Sequence, residues 1–503
     1  MILPALPALI PLITIIFLLM NFRRREWQPW IGLTGALLQL VLAVYLAVHI
    51  KSHGILVLHT GNWEAPFGIT LVIDSFSSFM LILTGIIAVS ISIYSIEAID
   101  RQRQSFFFYP MVHGLLMGVN GAFVTGDIFN LYVWFEVMLM SSFVLITLGG
   151  EKKQLNGAIK YVTLNLVSSM LFLAGIGLLY GKTGTLNMAD LALKMSLAEN
   201  NILLNTSAVL FFVAFSIKSA IFPFFFWLPA SYHTPPVAIT ALFAGLLTKV
   251  GVYAMIRFYT LFFVQDQLFW HPLFLWIGGF TMVVGVLTAA SQYDMRKILS
   301  FHIISQIGYM IMGLGIFTVA GIAGAIFYMG HNIIAKTNTF LVAGLINRVK
   351  GSYDLKSIGG LYKTHPFLAI LFIIPAFGLA GIPPLSGFFG KLVLISAGFS
   401  AGEYVISFVA LAVGLFTLFS MVKIWNEAFW KAQPDDKLTE APKDEKLPFS
   451  MVLPVVLLGL LTLTMGFAVK PILSFAMDAA TQLLNPHIYI EAVLGNSINP
   501  EIQ

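Results

Sequence analysis

Cysteine is absent from all 503 residues, so the chain has no disulfide framework and no thiolate with which to hold zinc or an iron–sulfur cluster. Charge is nearly as scarce. Asp, Glu, Lys and Arg together make up 10% of the sequence, where a soluble domain carries about 25%. Hydrophobic residues account for 58%, and the mean hydropathy is +0.89. Together these exclude an ordinary water-soluble fold. Nucleotide chemistry is missing too. The string 175-GIGLLYGKTGT-185 echoes a phosphate loop, but Ile176 stands where that motif demands glycine, and it follows an apolar span rather than a strand. No dinucleotide fingerprint and no haem ligand pattern occurs. A net charge of +5 does not argue for a nucleic-acid partner, because the basic residues sit in short connectors between apolar runs.

What is present is a succession of apolar runs of about 20 residues, the length that crosses a hydrocarbon core of about 30 Å as a helix. Barrel strands would be shorter and would alternate in polarity. The chain therefore reads as an all-α polytopic membrane protein with about fourteen transmembrane helices, near 2–21, 30–49, 71–95, 109–125, 128–149, 160–181, 204–227, 236–261, 270–290, 299–319, 321–346, 366–398, 402–429 and 450–475. The first run has no basic residues before it and ends in Arg23, Arg24 and Arg25, as expected of an uncleaved span rather than a signal peptide. With the N-terminus outside, 18 of the 28 lysines and arginines fall in inner loops and five (Lys51, Lys182, Lys194, Arg257 and Lys470) on the outer side, which predicts both termini outside. Residues 431–449 read as a solvated cytoplasmic loop. The tail beyond it carries an apolar patch, QLLNPHIYIEAVL, suited to lying along the membrane interface.

The other five basic residues, Lys218, Lys249, Lys336, Lys391 and Lys423, fall inside expected spans. Lys423 is close enough to the inner end of its helix to snorkel. The other four are not, and Glu136 joins them in 131-LYVWFEVMLM-140. A charge at a helix centre costs roughly 2.5–3.5 kcal/mol on insertion scales, so five left unpaired toward lipid would cost on the order of 10 kcal/mol. They must face inward, either as ion pairs that fix helix packing or as a proton or cation path. Five ionisable groups in separate spans, with His302 and His331 beside them, favour the path. A Glu136–Lys218 pair able to open and close would switch the lysine between holding and releasing a proton. His331 shares a span with Lys336 and suits a relay, although their five-residue spacing does not set them on one face. His233 and Asp127 lie at span ends, where capping is at least as good an account. His49, His53 and His59 belong to a solvated outer loop, and no metal site is expected.

Two spans are interrupted. The seventh carries Pro223 and Pro229 just after Lys218, and the twelfth contains 381-GIPPLSGFFGK-391, ending in Lys391. Irregular backbone at membrane depth is tolerated only inside protein or beside a wet cavity. These two broken helices run in opposite directions, which points to inverted repeats with a mid-membrane ion site.

Glu136, Lys218 in its broken span, 233-HTPPVAITALFAGLLTKVGVYAMIRF-258 with Lys249, 298-ILSFHIISQIGYMIMGLG-315 and the broken span with Lys391 together resemble the antiporter-like subunits shared by respiratory complex I and the Mrp multisubunit cation/proton antiporters. The likeness covers nearly the whole chain. It is nearer the Mrp type: no long C-terminal extension is present, and GIPPLSGFFGK ends in lysine where the complex I counterpart usually has glutamate. In one departure, several relatives place the eleventh-span lysine four residues after the histidine, whereas Lys336 follows His331 by five.

The resemblance implies two inverted five-helix repeats, 109–261 and 262–430, after N-terminal helices in 1–108, with a last helix and tail in 450–503. It implies hydrophobic partner subunits in a bacterial cell membrane, protons and Na+ as cargo, and no cofactor. Glu136 would modulate Lys218, Lys249 would relay protons along a central axis with His331 and Lys336, and Lys391 would connect to the opposite side. The competing expectations are a proton-pumping subunit of a complex I-like or hydrogenase complex, and a scaffold held by structural ion pairs.

Overall fold

The computed structural model describes residues 2–197, 202–434 and 447–495. The chain begins with α1 (Leu6–Met20) and α2 (Gln28–His53), followed by a hairpin of β1 (Leu56–His59) and β2 (Thr70–Ile73) paired antiparallel, with Leu56 opposite Ile73. Then come α3 (Ser75–Ala98), the short α4 (Arg101–Gln104), α5 (Phe108–Val124), α6 (Ile128–Thr147), α7 (Lys152–Thr183), α8 (Met188–Leu197), α9 (Ile202–Ser219) and α10 (Trp227–Ser231). The middle of the chain supplies α11 (Val237–Gly245), α12 (Leu247–Leu261), α13 (Gln267–Ser291), α14 (Met295–Ile316) and α15 (Val319–Lys350). The remainder forms α16 (Leu361–Thr364), α17 (Pro366–Ala380), α18 (Ser386–Ser400), α19 (Tyr404–Trp425), α20 (Phe449–Phe467), α21 (Val469–Leu484) and α22 (Pro486–Leu494).

Among the described residues, eleven helices are long and apolar enough to cross a membrane, and α5, α17 and α18 are shorter apolar helices. The helix α15 is a further 32-residue rod, every residue of which from Gly321 to Ile346 is buried. It is the spine of the molecule, packed against α11, α14, α17, α18, α20 and α21. The peripheral helices α1, α2, α7 and α19 instead turn large apolar side chains outward, among them Phe17, Val41, Met170 and Leu415, as a surface solvated by lipid requires.

Three local departures from the expected spans have chemical causes. The third helix does not start at 71. Asp74 caps it, its Oδ1 accepting from the Ser77 amide at 2.8 Å while Ser77 Oγ accepts from the Asp74 amide at 2.8 Å, so 70–73 are free to pair as β2. The connector before the sixth expected span is helical, because Glu151 and Gln154 form a capping box that starts α7 at Lys152. The tail's apolar patch is folded inward, with Tyr489, Ile490 and Val493 of α22 buried against α8 and β1. Most of the loop expected at 431–449 lies outside the described residues, as does the tail beyond 495.

The two expected helix breaks are real. At the first, α9 stops at Ser219 and Ala220 adopts a left-handed φ of 56° ahead of Pro223. At the second, α17 stops at Ala380 and Gly381 takes φ 90°, a conformation that favours glycine. A third interruption divides the eighth expected span at Leu246, between α11 and α12.

Candidate functional site: a row of buried lysines

All four mid-span lysines are buried. Two of them sit where a helix break supplies carbonyl acceptors. Where α17 ends, the last carbonyls of the helix lose their amide partners. Lys391, on α18, fills that deficit: its Nζ donates to Leu379 O at 2.9 Å and Ala380 O at 3.0 Å, with the Tyr309 ring centroid 5.0 Å away. Lys249 does the same at the Leu246 interruption, donating to Ala244 O at 2.6 Å, a carbonyl that an unbroken helix would pair with an amide. Lys218 sits on the last turn of α9. Its Nζ donates to Ser169 Oγ of α7 at 3.1 Å and lies 5.3 Å from the Phe135 ring centroid.

Lys336 is different. It is 0% exposed, and its Nζ has no hydrogen-bond partner among the described residues. It lies within Coulombic reach of both Lys249 and Lys391, and His302 and His331 feel the charges of Lys336 and Lys391. These central groups on α12, α14, α15 and α18 therefore form one electrostatic unit without a carboxylate among them. His331 shares a 2.8 Å hydrogen bond through Nδ1 with Ser386 Oγ at the start of α18, and its Nε2 is unpaired. This contact depends on Gly387, whose absent side chain would meet Gly378 O at 1.9 Å and His331 Nε2 at 2.6 Å. Among the described residues, both nitrogens of His302 are also without partners, as are the buried amides of Asn332 and Asn338 and the buried hydroxyls of Thr248, Ser216 and Ser219. Buried polar groups of this kind are ordinarily paired with ordered water.

Glu136 is half-buried on α6, and its Oε1 has no hydrogen-bond partner. Its charge acts on Lys218, but the two do not form an ion pair within 4.0 Å, since Ser169 holds the ammonium instead. At the other end of the row, a cavity of about 270 Å³ opens between the α17–α18 break and α19, bordered by Gly381, Lys391, Gly414 and Leu415.

The span-end residues take the capping roles open to them. Asp127 Oδ1 accepts from the Asn130 amide at 2.7 Å, and His233 Nδ1 donates to Pro229 O at 2.7 Å. Lys423 reaches the end of α13, donating to Ala290 O at 2.9 Å and Gln292 O at 2.6 Å.

One charged pair escaped the sequence reading. Arg257, counted there among outer-side residues, is buried on α12, its Nη1 2.6 Å from Asp74 Oδ2. Its position eight residues after Lys249, and so on the same helical face, was the available signal. The acid that neutralises it is a helix cap 183 positions earlier in the chain, which no local pattern reveals.

A family model described as NADH:quinone oxidoreductase/Mrp antiporter, transmembrane, matches residues 125–417. The chain is 51% identical over 489 residues to the D component of an Na(+)/H(+) antiporter from Alkalihalophilus pseudofirmus, covering 97% of this chain and 98% of the relative. The component of the same name from Bacillus subtilis is 40% identical over the same shares. Among solved structures, a chain of the Mrp complex from Dietzia sp. DQ12-45-1b superposes with a TM-score of 0.90 at 30% identity, covering 98% of this chain and 99% of that one. A chain of a membrane-bound sulfane sulfur reductase, an archaeal respiratory membrane complex, superposes at 0.91 with 24% identity and shares the fold.

Proposed function

The chain belongs to the NADH:quinone oxidoreductase/Mrp antiporter family of membrane subunits, and from that premise we propose that it is the D-type, proton-translocating subunit of a multisubunit Na+/H+ antiporter. The observation that carries this reading is the row Lys249, Lys336, Lys391 with His302 and His331: buried, linked by charge through Lys336, and with no carboxylate among the described residues to neutralise it. A scaffold built on ion pairs would put an acid against each base. Here carbonyls take two of the ammonium groups and nothing among the described residues takes the third. Unpaired cations at membrane depth are expensive, and they are kept where protons or ions move.

In this mechanism Glu136 and Lys218 act at one end of the path. With the pair apart, as the Ser169 contact holds it, Lys218 feels the Glu136 charge only at a distance and releases its proton more readily than in a closed pair. When the pair closes, the proton is held. Lys249 passes the proton to Lys336 and His331, through water bridging the unpaired polar atoms around them. Lys391 delivers it at the broken α17–α18 helix. The two broken helices then belong to two inverted five-helix repeats of a fourteen-helix subunit, with both termini on the outer face of a bacterial cell membrane. Exported sodium exchanges for incoming protons, and other hydrophobic subunits complete the machine.

Purification from native membranes with identification of co-purifying chains tests the assignment. Hydrophobic partner subunits with no flavin or iron–sulfur protein are expected. Co-purified redox subunits would overturn it in favour of a proton pump driven by electron transfer.

A further inference from the structure

Lys249, Tyr253 and Arg257 recur every four residues and so lie along one face of α12, running from the middle of the molecule toward the end that carries the β-hairpin. The outer part of the stripe is hydrogen-bonded. Arg257 Nη2 donates to Tyr253 Oη at 3.1 Å, and Tyr253 Oη donates to Phe123 O at 2.9 Å. At the hairpin end, Asp74 neutralises the guanidinium, and three rings surround it: Phe76 at 5.9 Å, Tyr253 at 5.4 Å and Tyr489 at 5.5 Å.

Two of these rings come from the wall of the bundle, and the last comes from the far end of the chain. Tyr489 stands on α22. The preceding helix, α21, is tied in by Gln482, whose Oε1 accepts from the Ser75 amide at 3.1 Å. Asp74, Arg257, Gln482 and Tyr489 border a cavity of about 10 Å³, about the smallest that admits one water molecule. Asp127 is the other acid acting on Tyr489.

We propose that α21 and α22 form a strap that seals the hairpin end of the α12 polar face, with the Tyr489 ring as the stopper over the Arg257–Asp74 pair, so that protons do not leak past it along α12 to Lys249. An arginine ringed by aromatics is apt for this: its guanidinium does not give up a proton, and the rings leave only a cavity of about 10 Å³, too small for a continuous water chain. The proposal rests on the proton-path reading of Lys249. Through Tyr489 it gives the tail a role in coupling.

The test uses the whole complex in vesicles without sodium, reading passive proton flux under an imposed pH difference. Y489A is expected to leak several-fold faster than wild type, and Y489F, which keeps the ring, to stay tight. In Y489A/K249M the leak should return to the wild-type level. A tight Y489A complex, a Y489F complex as leaky as Y489A, or a leak that persists in the double variant would each overturn the proposal. If Y489A does not assemble, Y489L fills the volume without the aromatic face, and here too a leak supports the seal and tightness refutes it. Because no sodium is present, the outcome is independent of whether wild type exchanges sodium for protons, which the same vesicles report once sodium is added.

Discussion

Lys336→Met separates a lysine kept for transport from one kept for packing. The native ammonium is fully buried, has no hydrogen-bond partner among the described residues and feels the charges of two other lysines, so its own contribution to folding is unfavourable. Methionine matches the stem in length and flexibility and removes the charge. A central lysine costs roughly 2.5–3.5 kcal/mol on insertion scales, so the substitution should stabilise the subunit by about 2 kcal/mol once water contacts of the native group are allowed for. For a chain this long, that is a rise of a few degrees in melting temperature. Transport should move the other way and fall roughly a hundredfold, as for the loss of a positioned proton-transfer group. The two assays are thermal unfolding of the purified complex and sodium-driven proton movement in vesicles. A K336M complex that melts lower than wild type yet transports normally would refute the reasoning, because it would make Lys336 a structural partner.

The opposite sign is expected at the paired cation. R257M leaves Asp74 buried and uncompensated and should cost about 3–5 kcal/mol, read as a lowered melting temperature of the complex. G387A drives a methyl group into Gly378 O and His331, so α18 must shift. A loss of about 1–3 kcal/mol in stability is expected, together with slowed transport, and unchanged behaviour in both would mean that the His331–Ser386 contact does not constrain α18. Asp127, just outside α6 at the hairpin end, has its carboxyl pushed up from 3.8 to about 6, chiefly by burial, against hydrogen bonds from the Asn130 and Phe129 amides. A raised acid binds its proton more tightly folded than unfolded, so wild type loses stability between about pH 4 and 6. D127N, which still caps the helix, should therefore gain on the order of 2 kcal/mol relative to wild type above pH 6 and nothing below pH 4, as melting curves across that range would report.

The membrane class, the buried lysines and the two breaks at Lys218 and Lys391 were legible because each is a local contradiction: a charge or a proline inside an apolar run. Lys249 was equally visible, but the interruption at Leu246 that supplies its acceptor was not, since no proline marks it and Gly245 alone is a weak signal. The second strand of the β-hairpin was hidden at the start of an apolar stretch that reads as helix, and only the Asp74–Ser77 capping box moves the helix start to residue 75. Arg257–Asp74 and the strap over it join residues far apart in sequence. Counting charges by side put Arg257 on the outer surface, because a cation near a helix end carries no trace of its partner. Glu136 and Lys218 show the same limit, since their chemistry suggested a pair but did not reveal that Ser169 competes for the ammonium.

Whether the buried charges move protons is the question on which everything else depends. Sodium-dependent proton movement should be measured in vesicles bearing wild-type, Lys218→Ala or Glu136→Ala complexes, each shown to assemble with its partner subunits. K218A is predicted to abolish the movement and E136A to reduce it sharply. Full activity in both would contradict the proton path and leave the row of lysines as scaffolding.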